Sequence, residues 1–136
     1  MNYIFALRSS YFHNLNPKSH LQHVQAFSLT GATGMQGSGV IDALAKNPDW
    51  KIRGLPRNTN SEKAKALVNR GIEMVAANLD DEKSLIEAFN GVNAVFAVRD
   101  FYESFVTGIG PEKAMEIEYG RGVNLARAAA ETTTLK

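Results

Sequence analysis

Apolar runs and helical patterns alternate along the chain from about residue 24 onwards. Four short apolar runs, at residues 24–30, 51–55, 72–77 and 94–98, have the length and composition of buried strands. Each run is followed by a segment in which apolar residues recur at helical spacing. The predicted helices begin at Met35, after Ser61, after Asp80 or Asp81, and at Pro111.

Strands that alternate with helices predict an α/β fold with a parallel sheet. Right-handed crossovers and short loops give the four strands the order 3-2-1-4, with helices on both faces of the sheet. The order reverses between the first and the fourth strand, and such sheets bind ligands at that point, at the carboxyl ends of the strands. The loops that face this crevice begin at Gly31, Arg57, Asn78 and Arg99.

Three glycines at three-residue spacing separate the first strand from the first helix. Gly31 allows a tight exit from the strand, Gly34 lets a pyrophosphate approach the backbone, and Gly37 lets the helix pack closely. The N–H groups at the start of the helix then favour the charge of a phosphate. The alternative is a flexible loop, but the strand before it and the helix after it favour dinucleotide binding.

The end of the second strand carries an arginine where an NAD-binding unit has an acid. Such units place Asp or Glu about 20 residues after the glycines, on the ribose 2′-hydroxyl. This chain has Arg57 there, and the next acidic residue is Glu62. A guanidinium pairs bidentately with a 2′-phosphate, and Asn58, Asn60 and Ser61 offer further donors. The sequence therefore predicts NADP rather than NAD, the alternative being a solvated arginine in an ordinary turn.

Two further loops are candidates for contact with the cofactor. Asn78 and Leu79 end the third strand, where adenine is expected, and the Asn78 amide either bonds the base edge or forms a turn. Arg99, Asp100 and Phe101 follow the fourth strand, beside the nicotinamide half. These three residues either line the site or form a structural loop.

Charge and composition narrow the function further. The 136 residues carry a formal net charge of +1, which argues against binding of nucleic acid or of an anionic membrane surface. The lack of cysteine excludes disulfides, thiolate catalysis and Cys-ligated zinc. No apolar run approaches the roughly 20 residues of a membrane span. We therefore expect a cytoplasmic protein with an unidentified small-molecule substrate, and no direct nucleic-acid or membrane partner.

Residues 1–23 do not follow the alternating pattern. We predict a poorly ordered N-terminal extension there, ahead of a domain over residues 24–136. The extension lacks acidic residues, so a mitochondrial presequence is an alternative, as is a misplaced start codon. His13, His20 and His23 lie in it without carboxylate partners, and no metal site is expected.

Four stretches together resemble the NmrA-like family of atypical short-chain dehydrogenases/reductases. They are TGATGMQGSGV at residues 30–40, Pro-Arg-Asn at 56–58, Ala-Asn-Leu-Asp-Asp at 77–81 and VFAVRDFYE at 95–103, within a similarity over residues 26–131. The resemblance implies a Rossmann fold that binds NADP. Cofactor contacts carried over by position are Gly31, Ala32, Thr33, Gly34, Met35, Gln36, Arg57, Asn58, Thr59, Asn60, Ser61, Asn78, Leu79, Arg99, Asp100 and Phe101.

The resemblance also implies a choice of functions. Some members are reductases, many of them in fungal secondary metabolism, and others are redox-sensing regulators that bind NADP and a partner protein. Two positions differ from the family, which usually has an acid in place of Asn78 and a small polar residue in place of Arg99. We expect an NADP-dependent oxidoreductase that reduces a small organic substrate, the alternatives being an NADP-sensing protein or an inactive fragment.

The catalytic residues are not predicted by the sequence. Ordinary short-chain dehydrogenases use Tyr-x-x-x-Lys, and none of the four tyrosines here has a lysine four residues later. A full family member continues through a fifth strand and a substrate region, so the chain is expected to be truncated after its fourth β-α unit. The strand at 94–98 would then be an exposed edge, which predicts self-association or pairing with a protein partner.

Overall fold

A five-stranded sheet carries the helices of the domain. The computed structural model describes residues 4–8, 24–98 and 106–135. The order across the sheet is β1-β5-β2-β3-β4, and the last four of these strands are parallel to one another. This confirms the predicted order 3-2-1-4 of the parallel strands. The strands are β1 (Ile4–Arg8), β2 (Gln25–Thr30), β3 (Trp50–Leu55), β4 (Glu73–Met74) and β5 (Ala94–Val98).

The helices begin where the sequence signals place them. Ser61 caps α2, since its hydroxyl oxygen accepts the N–H of Ala64, and Asp81 caps α3 by accepting the N–H groups of Lys83 and Ser84. The helices are α1 (Met35–Leu44), α2 (Glu62–Asn69), α3 (Glu82–Ala88) and α4 (Pro111–Glu131), followed by a 3-10 turn at Thr133–Leu135. Among the helices of the described ranges, none is long and apolar enough to cross a membrane.

Each face of the sheet has its own core. On one face, Leu29, Ile41 and Leu67 join β2 to α1 and α2. On the other face, Phe89 and Leu125 belong to a cluster that joins β5 to α3 and α4. The helices therefore lie on both sides of the sheet, as predicted.

An aromatic pair lies on the face of the sheet that α1 covers. The ring of Phe27 on β2 meets the ring of Trp50, the only tryptophan of the chain, at a centroid distance of 5.6 Å. The two rings are nearly perpendicular, with an interplanar angle of 86°, which is a favourable edge-to-face geometry. Trp50 is the first residue of β3, so this pair lies at the end of the sheet opposite to the carboxyl ends of the strands.

The predicted inner face of α4 is wrong. We expected Met115, Tyr119, Val123 and Ala126 to point inwards, but Met115 is 58% exposed and Tyr119 75% exposed, while Ala126 is also exposed. Apolar and small residues occur on more than one side of this helix, so the spacing of the apolar residues did not single out one face. The buried residues of α4 are Ala114, Glu118, Leu125, Ala128 and Ala129.

The N-terminal extension also differs from expectation. Ile4–Arg8 forms a strand that pairs antiparallel with β5, with Ile4 opposite Val98 and Arg8 opposite Ala94. An unpaired strand edge has free N–H and C=O groups, and an extended segment of the same chain satisfies them here. The expected exposed edge at 94–98 is therefore covered within the chain. Residues 9–23, with the three histidines, lie outside the described residues.

The close approach of α1 to the end of β2 depends on Gly37. A Cβ built on Gly37 would lie 2.1 Å from the carbonyl oxygen of Gly31 and 2.8 Å from Cα of Ala32. Both distances are shorter than any real contact of a Cβ atom. Gly31 itself has a φ of +64°, in the left-handed region that side chains disfavour. Both glycines are therefore required by the backbone.

Replacement of Gly37 by alanine is expected to lower the free energy of unfolding by about 1–3 kcal/mol, because the new methyl group forces α1 away from the turn. Gly39→Ala is the matched control on the same helix, since a Cβ there meets nothing within 4 Å. We expect that control to stabilise the protein by about 0.5–1 kcal/mol. Urea unfolding followed by circular dichroism measures both, and equal effects of the two changes would contradict the close contact.

Candidate functional site

A polar cleft of about 400 Å³ opens at the carboxyl ends of β2 and β3. As predicted, it lies at the carboxyl ends of the parallel strands. It extends from β2 over β3 to the segment that follows β4, and no residue of β5 lines it, so it is not centred between β2 and β5, where the strand order reverses. Eight of the predicted site residues line it together: Gly31, Thr33, Gly34, Arg57, Asn58, Ser61, Asn78 and Leu79.

Other predicted residues do not line the cleft. Ala32 is 1% exposed and belongs to the core under α1, whereas Met35 is 91% exposed on the outside of that helix. Gln36, Thr59 and Asn60 are also absent from the walls of the cleft. Arg99, Asp100 and Phe101 lie outside the described residues, so their predicted contact stays a prediction.

The glycine turn leaves donors at the start of α1. The N-cap residue of this helix is Gly34, which has no side chain to accept the first N–H groups. By contrast, α2 and α3 are capped by Ser61 and Asp81. The first N–H groups of a helix have no partner within the helix and carry its positive dipole end. The start of α1 therefore suits an anionic group in the cleft.

Thr30 closes the floor of the cleft between β2 and β5. Its hydroxyl donates to the carbonyl oxygen of Val98 and accepts the N–H of Val98, both at 2.7 Å. The regular pairing of β2 with β5 ends one residue before Thr30, at the pair Leu29 and Phe96. The hydroxyl thus bridges the strands where they begin to separate. Sequence reasoning missed this role, and its only signal was a threonine at the last position of the strand.

The loop after β3 brings a cation and several polar groups to the cleft. Arg57 is exposed there, and the carbonyl oxygen of the Asn58 side chain accepts the N–H of Asn60 at 2.8 Å. Ser61 uses its oxygen to cap α2, so its O–H hydrogen is still available as a donor. Arg57 and its neighbours therefore offer donors on the side of the cleft that faces away from β5.

The opposite wall holds an arginine that the sequence analysis did not select. Nε of Arg121 on α4 donates to Oδ1 of Asp80 at 2.8 Å, and Nη2 donates to Oδ2 at 3.0 Å. The Arg121 side chain is 12% exposed and lines the cleft beside Asn78 and Leu79. The predicted inner face of α4 did not include this residue, and the sequence analysis assigned it no role.

Asn78 has the turn-forming role that was one of its two predicted alternatives. Its side-chain oxygen accepts the N–H of Asp80 at 3.0 Å, and its own N–H donates to Oγ of Ser84 at 3.0 Å. The turn uses the oxygen of the amide and not its NH₂ group. A donor from the Asn78 side chain is therefore compatible with the turn.

Asp80 has a pKa below its ordinary value of 3.8. The hydrogen bond from Arg121 is the largest cause, and the charges of Arg121 and Arg57 act in the same direction, while burial opposes them. A folded-state pKa below the unfolded one means that the ionised carboxyl stabilises the fold above pH 3.8, and that this contribution is lost as the pH falls through the folded value.

Asp80→Asn and Arg121→Gln are both expected to make the protein less sensitive to acid. The wild-type protein loses the contribution of the ion pair as the pH falls below the ordinary carboxyl pKa and through the lower folded one, whereas neither variant has the pair to lose. The measurement compares the thermal midpoint of each protein at neutral pH and at about pH 3. Glu62→Gln on α2 controls for the change in net charge in Asp80→Asn, and Arg127→Gln on α4 controls for the opposite change in Arg121→Gln. An unchanged acid sensitivity in both variants would contradict this role of the pair.

A second cavity, of about 480 Å³, lies between α4 and the sheet. Its walls include Phe89, Val95, Leu125 and Leu135, and they contain no charged side chain. It therefore offers nothing that binds a phosphate. Within the described ranges, no group of three or more His, Asp or Glu side chains is placed to hold a metal.

One family model matches the part of the chain that forms the cleft. A model of the NmrA-like family matches residues 25–136 of the chain. The chain belongs to the NmrA-like family. The match contains every described element from β2 onwards, and with them the whole cleft.

Two relatives give the extent of the similarity. The NmrA-like family domain-containing oxidoreductase hkm9 of Aspergillus hancockii is 36% identical over 104 residues, which are 76% of this chain and 30% of that protein. The corresponding oxidoreductase himF of Aspergillus japonicus is 32% identical over 109 residues, 79% of this chain and 31% of that protein. The chain thus spans less than a third of the length of these curated relatives.

Solved structures show the same fold. Triphenylmethane reductase of Citrobacter sp. is 25% identical, with a TM-score of 0.55, over 78% of this chain and 33% of that one. A structure of that reductase complexed with NADP(H) matches at 24% identity with a TM-score of 0.54. The NmrA-like chain is thus built on a Rossmann-like fold.

Proposed function

We propose that this NmrA-like chain binds NADP(H) in the polar cleft, as the cofactor-binding part of an oxidoreductase. One observation carries the proposal: the cleft joins the uncapped start of α1 at one end to Arg57 at the other. A dinucleotide with an additional phosphate needs both features, one for its pyrophosphate and one for its 2′-phosphate.

The pyrophosphate fits the turn from Gly31 to Gly34. The N–H groups at the start of α1 point to this turn and lack a side-chain cap. A phosphate there accepts their hydrogen bonds and meets the positive end of the helix dipole. Gly31 and Gly34 allow the approach because neither has a Cβ to occupy the space.

The 2′-phosphate fits Arg57. The loop over residues 56–61 supplies a guanidinium, amides and a hydroxyl, and its sequence contains no acidic residue that would repel a phosphate. A guanidinium forms two parallel hydrogen bonds with phosphate oxygens. NAD lacks this phosphate, and the loop has no carboxylate to accept its 2′-hydroxyl. The loop therefore favours NADP(H).

The adenine then lies against Asn78 and Leu79, and the nicotinamide extends towards β5. When bound, the cofactor supplies the hydride of the reaction. The chain's own part is to bind and orient it: Thr30 holds β5 beside β2 at the floor of the cleft, and the glycine turn fixes the phosphates. The curated relatives are named as oxidoreductases, which supports reduction of a small organic substrate as the reaction.

A second candidate is a protein that binds NADP(H) to sense it. Its basis is the resemblance to the family, in which some members are redox-sensing regulators that bind NADP and a partner protein. Turnover separates the two candidates. Oxidation of NADPH with carbonyl or enone compounds supports the oxidoreductase, and tight binding without oxidation supports the sensor.

Arg57→Gln is expected to weaken NADPH binding about 10- to 100-fold, because a charge-assisted pair contributes about 1.5–3 kcal/mol. NADH binding should change little, since NADH has no phosphate at this position. Calorimetric titration of each protein with both nucleotides measures the two effects.

Arg70→Gln is the matched control, because Arg70 pairs with Asp42 on the surface near the end of α2, away from the cleft. This variant should bind NADPH as the wild-type protein does. Equal affinity of the wild-type protein for NADPH and NADH would contradict the role of Arg57, and binding of neither would overturn the proposed function.

A further inference from the structure

Helix α4 contacts two consecutive residues, Leu79 and Asp80, of the loop on the proposed adenine side of the cleft. Arg121 binds both carboxylate oxygens of Asp80, at 2.8 Å and 3.0 Å. Almost one turn later on α4, Nδ2 of Asn124 donates to the carbonyl oxygen of Leu79 at 2.9 Å. Side chains three positions apart lie on the same face of a helix. A single face of α4 therefore contacts both the backbone and the side chain of this loop.

Local contacts alone do not place the loop. The hydrogen bonds of Asn78 with Asp80 and Ser84, and that of the Asp81 N–H with the Asn78 carbonyl oxygen, form the turn and join it to α3. They do not fix the distance from this turn to Arg57 on the other side of the cleft. The contacts with α4 anchor it to an element that packs on α3 and the sheet.

We propose that Arg121 and Asn124 are positioning residues for the adenine half of NADP(H). This inference rests on the proposed function of the cleft. Their contacts hold Leu79 and Asp80 in place before the cofactor arrives, so ordering of the loop does not reduce the affinity. The Arg121 side chain is nearly buried and its fork is engaged by Asp80, so it acts on the cofactor through the loop.

The test uses the whole chain and two halves of the cofactor. Calorimetry measures the Kd of NADPH, of adenosine 2′,5′-bisphosphate as the adenine half, and of reduced nicotinamide mononucleotide as the other half. Arg121→Gln and Asn124→Ala should weaken the first two by about tenfold and leave the third unchanged. Arg121→Lys should recover part of the loss, because it keeps the charge without the fork.

Arg127→Gln is the matched control, since Arg127 lies on the same helix and its ion pair with Glu82 is exposed and outside the cleft. Amide hydrogen exchange of Asp80 and Asp81 gives a second readout, which should become faster in Arg121→Gln and stay unchanged in Arg127→Gln. Unchanged exchange in Arg121→Gln would overturn the positioning role.

Asp80→Asn distinguishes positioning from direct contact. Under the proposal it weakens NADPH binding, and the double variant is no weaker than Arg121→Gln alone, because Arg121→Gln already removes the contact with Asp80 and also the ion pair with Glu118. Tighter NADPH binding by Asp80→Asn, or an equal loss for both cofactor halves in Arg121→Gln, would overturn it.

If the wild-type protein binds NADPH and the variants bind it equally well, only the positioning role fails. If the wild-type protein binds none of the probes, the proposed function fails with it.

Discussion

The contact of Gly37 with the carbonyl oxygen of Gly31 determines where α1 begins relative to the sheet. Because α1 lies so close to the turn, its first N–H groups reach the carboxyl end of β2. The same closeness presses Ala32 into the core, where its Cβ lies 2.9 Å from the position that a Cβ on Gly54 would take. β3 therefore needs a glycine at position 54 too. The turn, the helix and the strand can pack this closely only because Gly37 and Gly54 have no side chains.

The two sides of the cleft are held by different forces. Steric contact and backbone geometry fix the glycine turn, and such packing resists small displacements. Ion pairing and hydrogen bonds with α4 fix the loop from Asn78 to Asp80. Solvent screens the half-exposed carboxylate of Asp80, so its pair with Arg121 makes only a modest, pH-dependent contribution to stability. Its effect is on geometry, because bidentate contacts set the orientation of the groups that they join.

The parts of the fold that local chemistry determines were predictable. Ser61 and Asp81 were predictable as helix caps because each has a side-chain oxygen and directly precedes an apolar helical pattern. The strand order was predictable because it follows from the rules for connections between parallel strands. Tertiary effects were not predictable. The inner face of α4 was missed because apolar residues lie on several of its sides, and Arg121 was missed with it. The pairing of Ile4–Arg8 with β5 has no local signal, since it depends on an edge distant in sequence.

The aromatic pair of Phe27 and Trp50 has a practical consequence for spectroscopy. β3 runs six residues from Trp50 to Leu55 at the cleft, a distance of about 17–20 Å for an extended strand. The indole is thus packed at one end of the sheet, and the polar cleft opens at the other. As the chain has a single tryptophan, its emission reports the integrity of the sheet without direct contact with the ligand. Folding can then be followed by indole emission in samples without reduced cofactor.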